Sequence, residues 1–381
     1  MLLVVLWTFF IVTTALAQTP LILGGEDEEF DAMLLRPLQI EEGPDNNFYV
    51  LDGGDSCIKI YSPSGDYLHK LAGPGEGPGE FQRTDGATFG FTTDDKLFFT
   101  EFFGGHRWLT IMELNGDLIQ TLSPQLKVNY GIEKATSLDN GDFLIQIAHD
   151  SKAHANKNYY LYHIRQSLVQ MDNQGTIVKE IVKAEHPALI SYTPNGGTTN
   201  LPFAPLFVWA PRQNNTLVWG DGSNPRLSIL DFSGQTVREI DTKLPPPEKV
   251  SSDDLKNWFR KRKEYMESNN SAWWHQFGRV IEDYNESLFD KPIFMSISAA
   301  PDDHLLVEGK GKGEAETFQR TYWLFDPQGT MTSSISADVK SLHISRNHLL
   351  YFSDNEDGST AVNAMKWSGR VRDCFNLFNN N

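Results

Sequence analysis

Ile58-Lys59-Ile60-Tyr61-Ser62-Pro63-Ser64-Gly65 decides the fold of this chain, because the same phrase keeps returning. It comes back as Leu109-Thr110-Ile111-Met112-Glu113-Leu114-Asn115-Gly116 and as Leu168-Val169-Gln170-Met171-Asp172-Asn173-Gln174-Gly175. Further copies are Leu227-Ser228-Ile229-Leu230-Asp231-Phe232-Ser233-Gly234, Tyr322-Trp323-Leu324-Phe325-Asp326-Pro327-Gln328-Gly329, and Ala361 to Gly369. Alternating apolar residues make a half-buried strand. Asp, Asn, Ser or Pro ahead of a glycine makes a turn, since glycine accepts the positive φ of a tight hairpin. The run after each glycine (66–71, 117–122, 176–181, 235–240, 330–335, 370–375) is the return strand.

Ahead of each phrase stand another turn and strand, such as Asp45-Asn46-Asn47 before Phe48-Tyr49-Val50, and Asp302-Asp303-His304 before Leu305-Leu306-Val307. One more apolar strand precedes those, for example Pro205 to Trp209 or Pro292 to Ile297. The phrase glycines are 51, 59, 59, 95 and 40 residues apart, a period that belongs to propellers and arrays. Four strands per unit and six units give an all-β, six-bladed β-propeller of four-stranded antiparallel blades. The ring closes either through Leu21-Ile22-Leu23 or through Arg370 to Phe375, and the sequence leaves both open.

The 95-residue interval contains the non-β segment. Ser251-Ser252-Asp253-Asp254 is a helix start. Leu255, Trp258, Phe259 and Met266 follow at helical spacing, with Arg260, Lys261 and Lys263 opposite. Trp273, Trp274, Phe277, Ile281, Tyr284 and Leu288 form a second stripe. The expectation is a helical hairpin inserted over about 251–288, between blades four and five, with its apolar face against the propeller.

Residues 1–17 read as a signal peptide and 18–381 as the propeller. The apolar run Leu2 to Leu16 is shorter than the roughly 20 residues a spanning helix needs. Ala15 and Ala17 supply the small residues of a cleavage site. The expectation is export, to the periplasm or the extracellular space, with no stable membrane span. A net charge of −17 repels phosphate backbones, which argues against a nucleic-acid partner. Cys57 and Cys374 read as buried thiols rather than a disulfide, although the sequence does not fix their pairing.

Gly73-Pro74-Gly75-Glu76-Gly77-Pro78-Gly79-Glu80-Phe81 follows the first blade. As a phosphate loop it fails, having internal prolines and no helix behind it. It reads as a structural turn in which Gly75, Gly77 and Gly79 fix the backbone, Glu80 belongs to the turn, and Phe81 anchors it by burial. This GPGEGPGEF phrase, with the blade phrases and the insert, resembles the hallmark of a bacterial group of six-bladed propellers related to NHL-repeat proteins. That resemblance spans essentially the whole mature chain and implies fold and export, with little on activity.

Function on a rigid scaffold sits on loops. Blade-to-blade connections and the loops between second and third strands share one face of a propeller, so that face attracts attention. His149 to Tyr160 and Gly309 to Gln319 are its longest loops, and the insert should emerge beside them. His106, His149 and Arg212, with Trp209 on an inner strand, are the candidate ligand-binding residues, suited to an anionic or aromatic ligand. Arg107, Arg226 and Arg320 recur at equivalent strand starts and read as scaffold pairs with acids of neighbouring blades. No catalytic residue and no metal ligand stands out. There is no G-x-S-x-G elbow, no His-x-Glu pair and no Cys-pair spacing. Glu41, Glu42 and Glu133 border the inner strands but supply too little convergent oxygen for a hard metal, and read as solvated acids. The expectation is a non-catalytic binding module without cofactor, for a protein or small-molecule ligand at the loop face or central channel. The alternative is a metal-dependent hydrolase of the gluconolactonase or lactonase-like class, holding a divalent cation in that channel. Two carboxylates and an Asn converging at the channel mouth would mark that alternative.

Overall fold

In the computed structural model the described residues are 20–25, 30–101, 108–125, 131–155, 160–191, 199–269, 274–275, 287, 289–309, 320–339, 341–355 and 359–367. They form six antiparallel sheets arranged as the blades of a propeller. Blade one runs Pro37–Glu42, Phe48–Asp52, Cys57–Tyr61 and Tyr67–Leu71 from inside to outside. Blade two follows with Thr88–Phe91, Leu97–Thr100, Leu109–Met112 and Leu118–Leu122. Blade three is longer: Gly131–Ser137, Phe143–Ala155, Tyr160–Met171 and Ile177–Ser191, with the two-residue Thr199–Asn200 added at its edge. Blade four comprises Val208–Arg212, Thr216–Gly220, Arg226–Asp231 and Thr236–Asp241. Blade five comprises Phe294–Ala299, Leu305–Gly309, Arg320–Phe325 and Met331–Ala337.

Blade six settles the closure. Ser341–Ile344, His348–Asp354 and Thr360–Lys366 take Leu21–Leu23 as their outermost strand, through the register Leu21↔Ala364 to Leu23↔Val362. The N-terminal segment thus holds the place that 370–375 was also expected to fill. The latter residues, with Gly369 and Cys374, lie outside the described residues.

The repeated phrase forms the outer hairpin of each of the first five blades. The strand register shifts by one residue at the equivalent place each time: Ile60/Tyr61, Ile111/Met112, Gln170/Met171, Ile229/Leu230 and Leu324/Phe325. This is a tight turn closed by a glycine bulge. Gly234 has φ of 85°, and a Cβ there would lie 2.5 Å from the Ile181 carbonyl oxygen of the preceding blade. Glycine is therefore required twice, for the turn and for the approach. The same contact repeats around the ring, Gly116 facing Leu71 and Gly65 facing Leu21.

The core lies between blades rather than inside one. Tyr49, Leu51, Phe81 and Phe99 pack between blades one and two, and Phe98, Ile132 and Phe143 between two and three. Leu23, Phe48, Val50 and Leu350 seal blade six to blade one. Inner-strand side chains then tie each seam to the neighbouring backbone. Gln39 Nε2 donates to the Phe89 carbonyl (2.8 Å) and Gln39 Oε1 accepts from Phe89 N–H (3.0 Å).

The inner strands of blades four and five begin at Val208 and Phe294, later than the alternation suggests. Pro205 and Pro292 have no N–H to give a ladder. The first arm of the insert is the helix Ser252–Asn269, α1. Its start is a capping box: Ser251 Oγ accepts Asp254 N–H (3.1 Å), and Asp254 Oδ2 accepts Ser251 N–H (2.8 Å). Leu255 and Met266 are buried against Leu201, with Leu161 of blade three alongside. Of the second arm, only Trp274, His275 and Ser287 are described; Trp274 meets the Phe259 ring at 5.5 Å. The expected hairpin partner otherwise lies outside the described residues.

Candidate functional site

Blade three builds the site by outgrowing its neighbours. Residues 149–155, expected as loop, continue the strand Phe143–Ala155, which stays paired with Tyr160–Met171 out to Ala155↔Tyr160. This taller sheet rises beside the channel mouth, and α1 leans on it through Leu161 and Leu201. The segment 201–206 crosses between them. A cleft of about 350 Å³ remains, walled by Phe203, Pro205, Trp258 and Met295. A second cavity of about 370 Å³ opens over the channel and shares Glu133, Gln166, Leu206 and Met295 with the first. Glu133 stands where the two meet.

Local backbone geometry places it there. The inner strand of blade three breaks register between Ile132 and Lys134, so Glu133 is the bulged residue, without a partner opposite. Gln146 Nε2 and Gln166 Nε2 (2.6 Å) both donate to Glu133 Oε2. No described donor reaches Oε1, and no described cation pairs with the carboxylate. Burial raises its pKa, and the two amide donors pull it only part of the way back. Gln166 Oε1 is itself buried without a hydrogen-bond partner. His186, on the outer strand, donates to the backbone of Pro205, and burial lowers its pKa despite Asp221 nearby. Phe203 holds φ at 61°, a conformation costly for an aromatic residue and of the kind that gathers at functional sites.

Deeper in the channel the chemistry differs. His343 Nε2 lies 3.3 Å from Glu41 Oε2, joining blades six and one. Burial works against this ion pair, yet mutual attraction wins: the Glu41 pKa is lowered and that of His343 raised. Lys134 turns away from Glu133. Its Nζ donates to the Trp209 carbonyl (2.9 Å) and lies 4.8 Å from the centroid of the Trp209 ring. Burial pulls its pKa down to about 8 against the attraction of Glu41.

The four expected ligand-binding residues are not gathered at one place. His106 lies outside the described residues, and of His149 only the backbone is described, paired with Arg165. Trp209 is core, 1% exposed, with its indole N–H on Gln146 Oε1 at 2.7 Å. Arg212 stands at the far end of the same strand, on the opposite face from the cleft. It is 3.5 Å from Asp303 and donates to the Pro327 carbonyl, both in turns of blade five. Arg212, expected near the loop face, lies three residues further along the strand than Trp209, at its other end. Arg320 pairs with Glu308 of its own blade rather than a neighbour's. Glu42, read as a solvated acid, is a seam residue bonded to the Ser345–His348 turn, and Glu133 is no surface acid either. The signal for Glu133 was present in Gly131-Ile132-Glu133-Lys134-Ala135, a polar pair in an otherwise apolar inner strand.

The glycine-rich loop is a compact turn. Phe81 N–H donates to the Gly73 carbonyl (2.7 Å), Gly75 N–H to the Phe81 carbonyl (3.0 Å), and Glu80 Oε2 accepts Gly77 N–H (2.9 Å). Gly79 has φ of 88°, and Phe81 is buried against Phe99. Cys57 is buried, and burial pushes its thiol up to about 11. Among the described residues, no three His, Cys, Asp or Glu side chains converge as a metal site would require. No described helix is long and apolar enough to cross a membrane.

Comparison with known proteins supports the class. No protein-family model matches the chain, and neither does any curated protein. Among solved structures, a member of the DUF4221 family from Bacteroides vulgatus superposes with a TM-score of 0.52. It is 12% identical and aligns over 92% of this chain and 96% of its own. A candidate exported protein of Bacteroides fragilis gives 0.50 at 11% identity, over 92% and 95%. At such identity the likeness speaks for fold alone: the chain is a six-bladed β-propeller. Regucalcin from Agrobacterium tumefaciens, at 0.45 and 10% identity, carries no argument.

Proposed function

We propose that this protein is an exported, non-catalytic propeller module that binds a small molecule in the cleft between blade three and α1. The observation carrying this reading is the cleft itself: about 350 Å³, apolar-walled, ending on one half-buried carboxylate. Few polar groups in a mostly apolar concavity is the usual make-up of a ligand site. Export is supported by the apolar run and the Ala15-Leu16-Ala17 site, and by the description of the Bacteroides fragilis neighbour. In this reading residues 1–17 are removed, 18–381 are the mature domain, and the periplasm or extracellular space is its compartment. The relation to NHL-repeat proteins, carried by the Gly73–Phe81 phrase, belongs to the same proposal.

The lactonase-like alternative asks for two carboxylates and an Asn at the channel mouth. The described residues place one carboxylate there, Glu133, beside two glutamines. Ligand-observed saturation-transfer NMR with small aromatic fragments of mixed charge tests the module. Fragments should bind the wild type, lose binding to Ala204→Trp, which fills the cleft, and be recovered unchanged. Metal content in stoichiometric amount, with turnover of a lactone, would favour the hydrolase instead.

A further inference from the structure

The polar groups of the cleft fall into a pattern that selects a ligand class. Gln146 and Gln166 each give one of their two amide N–H groups to Glu133 Oε2. Among the described polar atoms, the acceptors left toward the cavity are Glu133 Oε1, which no described donor reaches, and the second ring nitrogen of His186, whose N–H goes to Pro205. The one other polar side chain in the lining, Trp258, brings an uncharged N–H and a ring face. No described lining residue of the cleft is cationic, and Lys134, which borders the channel cavity, is committed to the Trp209 carbonyl. A carboxylate held partly out of water, as the half-buried Glu133 is, costs free energy unless it is paired or neutralised. No cation among the described residues pairs with Glu133, which leaves a place for one on a ligand.

We infer that the cleft takes a primary organic amine with an aromatic or apolar tail, its ammonium on Glu133 and its tail between Phe203, Trp258 and Met295. The inference rests on the small-molecule reading above and narrows it to one chemical class. An ammonium is all donor and carries the missing charge. Charge-assisted hydrogen bonds are about twice as strong as neutral ones, and Trp is the best of the aromatic faces for a nearby cation. The surrounding charge of −17 favours the encounter as well.

Three isosteric probes separate this from non-specific uptake: 2-phenylethylamine, 2-phenylethanol and 3-phenylpropionate, titrated into the mature protein at pH 7.5. The amine should bind at least about tenfold more tightly than the alcohol, as one charge-assisted pair implies, and the acid should not bind. Glu133→Gln, which keeps the shape and an acceptor for the two glutamines, should bring amine and alcohol to equal affinity. Equal binding of amine and alcohol by the wild type overturns the amine inference while leaving the module standing. A preference for the amine that survives Glu133→Gln also overturns it. Absence of binding by all three probes and by every fragment of the wider set defeats both readings. Should Glu133→Gln fail to fold, the wild-type series decides alone. Ala204→Trp, which leaves Glu133 untouched, should then abolish amine binding, and persistence of that binding would overturn the placement.

Discussion

Two carboxylates in this propeller, Asp52 and Glu133, make opposite demands. Lys59 is fully buried and lies 3.3 Å from Asp52, also fully buried, with Asp55 and the Met33 carbonyl completing its shell. Asp52 in turn accepts from the N–H groups of Leu35 (3.0 Å), Arg36 (2.8 Å) and Gly54 (2.9 Å). Every lone pair has a donor, so the pair is a tie that pins the N-terminal segment to blade one. Removing one partner leaves an uncompensated buried charge, which costs about 3–5 kcal/mol. Lys59→Met should lower stability by that order in a urea titration; an unchanged midpoint would mean that the network is decorative. Glu133 contrasts: no described cation pairs with it, no described donor reaches one of its oxygens, and burial raises its pKa. A carboxylate is fully matched in one surrounding and left with an open oxygen in the other.

At the scale of the element, the sequence and the structure can be compared directly. The outer hairpins were legible because strand alternation and a positive-φ glycine are local properties, fixed within eight residues. The height of blade three was not. Residues 149–155 are polar and give no alternation, yet they stay in strand because Tyr160–Met171 pairs with them and Ile177–Ser191 covers the other edge. Cross-strand pairing of that kind has no local signature. Nor could a bulge at Glu133 be read from a single strand. The insert was legible as a helix with an apolar face, and Leu255 and Met266 do bury it, though what it shelters depends on the tall blade. Deleting 251–288 should leave a cooperative propeller, since the six inter-blade layers do not include it, while exposing Leu201 and Phe203. Limited proteolysis should then cut near 201–206 in the deletion variant and spare it in the full chain. Loss of cooperative unfolding would instead make the insert part of the core.

Taken whole, the molecule is a ring whose last seam is closed by residues far apart in sequence. The choice between the two closing strands was not legible, because pairing across the ring is non-local and leaves no mark in either short segment. Pairing of Leu21–Leu23 with Thr360–Lys366 makes one half of that seam. Glu42 makes the other: its carboxylate accepts from Ser345 Oγ (2.5 Å), Asn347 N–H (3.0 Å) and Asn347 Nδ2 (2.6 Å), with His348 at 3.3 Å. Burial pushes the Glu42 pKa up, but the bonds from His348, Ser345 and Asn347 outweigh it and bring it from 4.5 to about 2. A depressed folded pKa means that the unfolded chain takes up the proton first. The stabilisation is therefore complete above about pH 4.5 and drains away as pH falls toward 2. Glu42→Gln turns an acceptor into a donor facing donors and should cost about 2 kcal/mol at neutral pH. The gap in Tm between wild type and variant should narrow steadily from pH 5 to pH 2.5; a constant gap would remove Glu42 from the acid response.

The central claim, a ligand seated between blade three and α1, is tested most directly by methyl NMR on protein labelled with 13C at its methionine methyls. Met295 lines both cavities, whereas Met365 is buried in the core between blades five and six. Addition of 2-phenylethylamine should shift the Met295 methyl in a saturable manner and leave Met365 in place. A ligand that binds while Met295 stays unmoved, or that shifts the core methyls alone, would contradict the placement of the site.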